Sequence, residues 1–170
     1  MAITRLNNNS ITSITALPSA VAVASTPAFE GTMGSDTSFS SDTFTKCAIN
    51  TEVFDTDSCF DSTTNYRFTP TTAGKYFVYG NVYASTGSAN MYNHNVAIYK
   101  NGSIYRKSYI DWYNNTGSAA AIPICATVVM NGSTDYVELY VKSYDTSGNP
   151  SMYRPAEGQA SFFGAYRIIE

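Results

Sequence analysis

Residues 95–112 read NVAIYKNGSIYRKSYIDW, two runs rich in β-branched and aromatic side chains around Asn101-Gly102. An Asn-Gly pair between such runs marks a two-residue hairpin, because both turn positions need positive φ and these residues tolerate it best. Downstream, Tyr136 to Lys142 alternates strictly, with Val137, Leu139 and Val141 on one side. A period of two is the mark of a half-buried strand. Working outward, similar runs lie at 28–33, 43–54, 66–69, 74–84, 119–129 and 161–169, separated by turn-forming residues. The spacing predicts an all-β protein of eight to ten strands, a sandwich or jelly roll. Within it, Tyr76-Phe77-Val78-Tyr79 carries aromatic bulk on both faces. One face enters the core; the other requires a second burial partner.

Composition agrees. Fourteen Tyr, nine Phe, ten Val and eleven Ile stand against three Leu, and Ser, Thr and Asn number 20, 20 and 14. Leu-rich helices are excluded, whereas Tyr, Val, Ile and Thr suit pleated sheets. At 170 residues the chain is one domain of ordinary size. A net charge of −3 with only ten scattered cations excludes a nucleic-acid partner. No apolar run approaches the roughly 18 residues of a membrane-spanning helix, so no membrane partner is expected. Residues 16–24, ALPSAVAVA, end like a signal-peptidase site, but the polar run before them and Pro18 argue against cleavage. Cys47, Cys59 and Cys125 lack any C-x-x-C spacing, which speaks against zinc and redox motifs. Three buried thiols are expected, with a Cys47–Cys59 pairing left open.

Residues 1–27 hold no Gly and no acid, and only one cation. Ile3, Leu6, Ile11, Ile14 and Leu17 punctuate a run of Asn, Ser and Thr. Such a segment cannot build its own core, and it is read as an extended N-terminal anchoring arm with these five residues as pegs. The domain proper then runs over 28–170.

From Ile49 to Val78 the chain resembles the globular head of complement subcomponent q, within the tumour necrosis factor-like jelly rolls. The family's fingerprint is F-x5-[N/D]-x4-aromatic-x6-F-x5-G-x-Y-x-F. Asp55, Phe60, Phe68, Gly74 and Tyr76 match it; Ile49 and Val78 replace its first and last Phe, and one residue is inserted before Phe68. Val96 to Gly102 is similar to the family's apolar strand ending in K-N-G, and Phe162 to Tyr166 to its closing strand. The resemblance implies an all-β, antiparallel ten-stranded jelly-roll sandwich that forms a homotrimer, with Tyr76, Phe77, Tyr79, Phe162 and Tyr166 in the interface. The animal members' collagen stalk is missing: Gly31 is the first glycine. The opening, MAITRLNNNSITSITALPS, is instead similar to that of marine bacteriophage structural proteins.

Chemistry finds little support. His94 is the only histidine and is expected on the surface, and no nucleophile elbow marks a serine. No catalytic residue is assigned, and no enzyme is expected. Asp55, Asp57 and Asp61 are the best metal candidates, since oxygen ligands on a loop suit Ca²⁺ and the resemblance implies calcium in some members. Cys59 and Phe60 depart from the EF-hand pattern, and a solvated turn is the simpler expectation. Tyr105, Tyr109, Trp112 and Tyr113 form a candidate ligand surface for a sugar or protein, unless they pack inward. The functional expectation is a phage virion structural protein: a trimeric capsid decoration, cement or head-fibre protein. It would be located in the virion and bound through its arm to partners such as the major capsid protein. The alternative is a receptor-binding knob of a tail fibre, recognising a host surface glycan or protein.

Overall fold

The computed structural model describes residues 25–87, 90–154 and 161–168. The five proposed anchoring pegs, Ile3 to Leu17, lie outside the described residues. Thirteen strands and no α-helix occur among those described. Eight are long: β1 (Ala28–Met33), β4 (Ile49–Asp55), β7 (Gly74–Ser85), β8 (Met91–Lys100), β9 (Ser103–Asp111), β10 (Ala119–Met130), β11 (Val137–Asp145) and β13 (Phe162–Arg167). The other five have two residues each: β2 (Thr37–Ser38), β3 (Thr45–Lys46), β5 (Phe60–Asp61), β6 (Arg67–Phe68) and β12 (Ser151–Met152). These short pieces raise the count above the expected ten, because two-residue pairings leave no periodic pattern in a sequence.

The strands form two antiparallel sheets. In one, β4, β1, β13 and β7 lie side by side, with β10 pairing the far edge of β7 along its whole length. In the other, the order is β5-β6-β11-β8-β9. The expected single strand over 43–54 is instead two. β3 pairs β11 in the second sheet and β4 pairs β1 in the first, so the chain changes sheets at Cys47 and Ala48. Among the described residues β4 pairs with β1 alone, and the register slips twice, between Glu30 and Gly31 and between Thr32 and Met33.

Alternation sets which way each side chain points. Along β7, Tyr76, Val78, Gly80, Val82 and Ala84 are buried, while the residues between them face outward. Along β10, Ile122, Ile124, Ala126, Val128 and Met130 are buried and Cys125 is exposed. Between the sheets, Phe29 stacks on Phe60 at 4.3 Å and on Phe68 at 4.7 Å, with Phe163 edge-on at 5.2 Å. Such aromatic pairs add about 0.5–1.5 kcal/mol each beyond the area they bury. The expected hairpin is present: Asn101 and Gly102 take φ of 51° and 78° between β8 and β9. Asn101 also accepts from the Tyr136 N–H at 2.9 Å and donates to Asp135 at 2.8 Å, which ties the turn to the start of β11.

All three thiols are free. Cys47 and Cys59 are buried as expected, but Cys125 is exposed, because it holds an outward position of β10. Phe29 touches three rings at once, so Phe29→Ala should cost about 3–5 kcal/mol of unfolding free energy. Urea titration of the variant checks this.

Candidate functional site

The outward positions of the first sheet gather aromatic side chains. Phe77 and Tyr79 come from β7, Phe162 and Tyr166 from β13. Phe77 lies 5.5 Å from Tyr166 and 6.0 Å from Tyr79; Tyr79 lies 6.2 Å from Phe162 and 6.4 Å from Tyr166. One row of partners crosses this face in register, Glu30 to Gly164 to Tyr79 to Cys125. The Tyr79 ring lies across Gly164, where an added Cβ would sit 2.5 Å from ring atoms. From there its hydroxyl donates to Glu30 at 2.8 Å, two strands away. Burial raises the Tyr79 pKa, and the hydrogen bond to Glu30 adds to the rise. On the other side of Tyr79 opens an apolar cavity of about 260 Å³, lined by Tyr79, Gly80, Pro123, Ile124, Cys125 and Phe162.

Tyr76 does not belong to this face. It is fully buried in the sandwich, its hydroxyl donating to the Thr72 carbonyl at 2.7 Å. Burial raises its pKa to about 12, against the opposing pull of Arg167. Tyr76 and Tyr79 are three residues apart, and a strand places such a pair on opposite faces. Of the five residues assigned to an interface, four share the outer face and Tyr76 is a core residue.

The candidate ligand tyrosines also divide. Tyr105 donates to the Thr127 carbonyl at 3.0 Å, and it and Trp112 pack against the core. Tyr109 is 58% exposed and Tyr113 is 80% exposed. The three aspartates do not converge. Asp55 accepts from the N–H groups of Cys59 (3.1 Å) and Phe60 (2.8 Å). Asp61 accepts from those of Thr63, Thr64 and Asn65, which together with the Asn65 amide hold its carboxyl well below the usual range. These carboxylates cap their own turns. Among the described residues no three metal-ligating side chains converge on one point.

His94, expected on the surface, is fully buried. It sits two residues before Val96 and four before Ile98, on the same inward side of β8. Its Nε2 lies 3.1 Å from the Val82 carbonyl of the opposite sheet, and its Nδ1 lies 2.8 Å from the Ser143 hydroxyl of β11. The neutral tautomer that donates from Nε2 and accepts at Nδ1 satisfies both. Burial lowers its pKa to about 4, opposed by the Val82 carbonyl. The alternation shared with Val96 was the available signal for this position. The only imidazole is used as a tie between sheets, and the outer face offers stacking and apolar burial.

No family model matches the sequence, and no curated protein matches it. Solved structures do. The chain is similar to Eiger TNF from S. frugiperda, with a TM-score of 0.59 at 13% identity over 84% of this chain and 91% of that one. It is similar to murine APRIL, with a TM-score of 0.59 at 9% identity over 83% and 98%. The globular domain of zebrafish complement 1qA gives a TM-score of 0.57 at 13% identity over 85% and 98%. The fold is that of the tumour necrosis factor and complement 1q jelly rolls. At these identities the likeness is one of backbone path alone.

Two outcomes are expected. A His94 pKa near 4, below its ordinary 6.5, means that stability is full above pH 6.5 and falls as the pH drops toward 4. His94→Gln should lower stability at pH 7 by about 1–3 kcal/mol, yet lose less than the parent between pH 7 and pH 5. Urea midpoints at the two pH values check it. Gly164→Val should displace the Tyr79 ring and break its bond to Glu30, lowering the melting temperature; a near-UV circular dichroism change should accompany the loss.

Proposed function

We propose that this chain is a non-catalytic head that works as a homotrimer, joined through the aromatic outer face of the first sheet. The observation that carries this reading is the cluster of Phe77, Tyr79, Phe162 and Tyr166, which the single protomer leaves partly bare; Tyr166 alone is 41% exposed. Apolar clusters of this kind on a soluble surface mark association sites. The jelly-roll likeness supports three as the number, since closed rings of jelly rolls of this type are trimers.

We further propose that the trimer is a virion component, a capsid decoration, cement or head-fibre protein attached through residues 1–27 to a partner such as the major capsid protein. Support comes from the opening's similarity to phage structural proteins and from a composition of short polar and aromatic residues. A second reading, the receptor-binding knob of a tail fibre, is favoured by the exposed side chains of Tyr109 and Tyr113. They lie in the second sheet's edge strand and the turn after it, where a host glycan or protein would find a stacking surface.

Light scattering should give about 55 kDa, three times 18.5 kDa. Tyr166→Lys should give a folded monomer, because the side chain is already partly solvated in the protomer. A wild-type monomer at micromolar concentration rejects the trimer. Deleting residues 1–24 should leave a folded trimer that no longer joins particles in a reconstitution assay; undiminished occupancy rejects the anchoring role. Tyr113→Ala should leave binding to host cells unchanged under the first reading and reduce it under the second.

A further inference from the structure

We propose that Arg167, the last residue of β13, is the centre of a binding site for a small oxyanion, a carboxylate or a phosphate. Such a site stands whether or not copies of the chain assemble. Along β13, Phe163 and Ala165 point into the sandwich, and Arg167, two residues on, keeps their side. Strand pairing sets it opposite Tyr76, which is fully buried on the same side of β7. A cation is thus carried at an inward position. Gly74 makes the room for it. Its φ is 153°, and an added Cβ there would lie 2.9 Å from the Arg167 Nε and 3.6 Å from Nη2.

The charge held there is unmatched. Among the described residues the Arg167 Nε is the one buried side-chain nitrogen or oxygen without a hydrogen-bond partner. The other described arginines are engaged. Arg67 lies over the Tyr136 ring at 4.6 Å, Arg106 over Tyr105 at 5.3 Å, and Arg154 stands 4.0 Å from Asp36. No carboxylate among the described residues pairs with Arg167. Buried donors in folded proteins are nearly always satisfied, and an orphan calls for an acceptor from elsewhere. A water molecule would meet the hydrogen bond but not the charge; an oxyanion meets both. The side chain is half-buried, and its two Nη atoms are not enclosed as Nε is. An anion can therefore dock on the Nη side from solvent and bring a second oxygen to Nε, the two parallel bonds that a guanidinium edge offers.

The test uses the full chain, labelled with the heavy nitrogen isotope. On titration with sodium phosphate at fixed pH and ionic strength, the Arg167 Nε–H resonance should move and saturate, while those of Arg67, Arg106 and Arg154 stay in place. Acetate, titrated in the same way, separates the two sources: the anion that saturates the shift at lower concentration is the preferred class. Melting gives a second readout. Phosphate stabilises folded chains in general by exclusion from their surfaces, so the comparison is with Arg167→Gln. Wild type should gain at least about 2 °C more from phosphate than the variant does. An Arg167 resonance that ignores both anions, or that moves in step with the other three, overturns the site, as do equal gains in the two proteins. Light scattering on the same samples reports assembly separately. A monomer that binds phosphate at Arg167 rejects the trimer and leaves this site standing.

Discussion

Everything on both sides of the first sheet depends on the strict alternation of β7. This strand is paired along one edge by β10 and along the other by β13 and β12, so it has no freedom to slip or rotate. A shift of one residue would drive Tyr79 into the core and expel Val78 and Val82. Fixed in this way, the strand presents a jigsaw of aliphatic and aromatic side chains to the sandwich and a set of rings to the outside. Gly80 and Gly164 supply the relief that bulky neighbours require. At Gly80 an added Cβ would press on Leu139 of the facing sheet, and at Gly164 it would displace Tyr79. The rings are therefore held by the same register that holds the core.

Polar groups on both sides of the second sheet reinforce that register. His94 links β8 to β7 and β11. Glu138, nearly buried on the other side of the second sheet, meets Lys46 at 2.5 Å, and Lys46 also donates to the Asn65 carbonyl. An ion pair with one member buried, as here, adds little net stability but punishes any arrangement that separates the two. They act here as positional pins between strands that are distant in sequence.

The architecture could be read from the chain because its signals are local. Asn101-Gly102 declares its turn, Val137 to Val141 declares its face, and both are where they were expected. What escaped was decided by parity and by three-dimensional closure. Tyr76 and Tyr79 look alike in a list of aromatics, and only counting along the strand separates them. The same count, applied from Val96 back to His94, places the histidine inside. The aspartate cluster misled for a different reason. Asp55 and Asp61 satisfy nearby backbone N–H groups, a use that resembles metal ligation in sequence because both demand carboxylates on a loop. The cavity with Cys125 had no signal at all, since it forms only where β7, β10 and β13 lie side by side.

The irregular pairing of β4 has a consequence for how many copies can gather. Among the described residues this strand ends one border of the sheet, and such a border is the ordinary starting point for runaway polymerisation. Two slips in register against β1 coil the border, so that a flat strand from another molecule finds no continuous ladder to extend. Growth through this border is discouraged, while the rings of Phe77, Tyr79, Phe162 and Tyr166 lie on the sheet's face and take no part in it. The misalignment of one border strand thus works against fibre growth at that border.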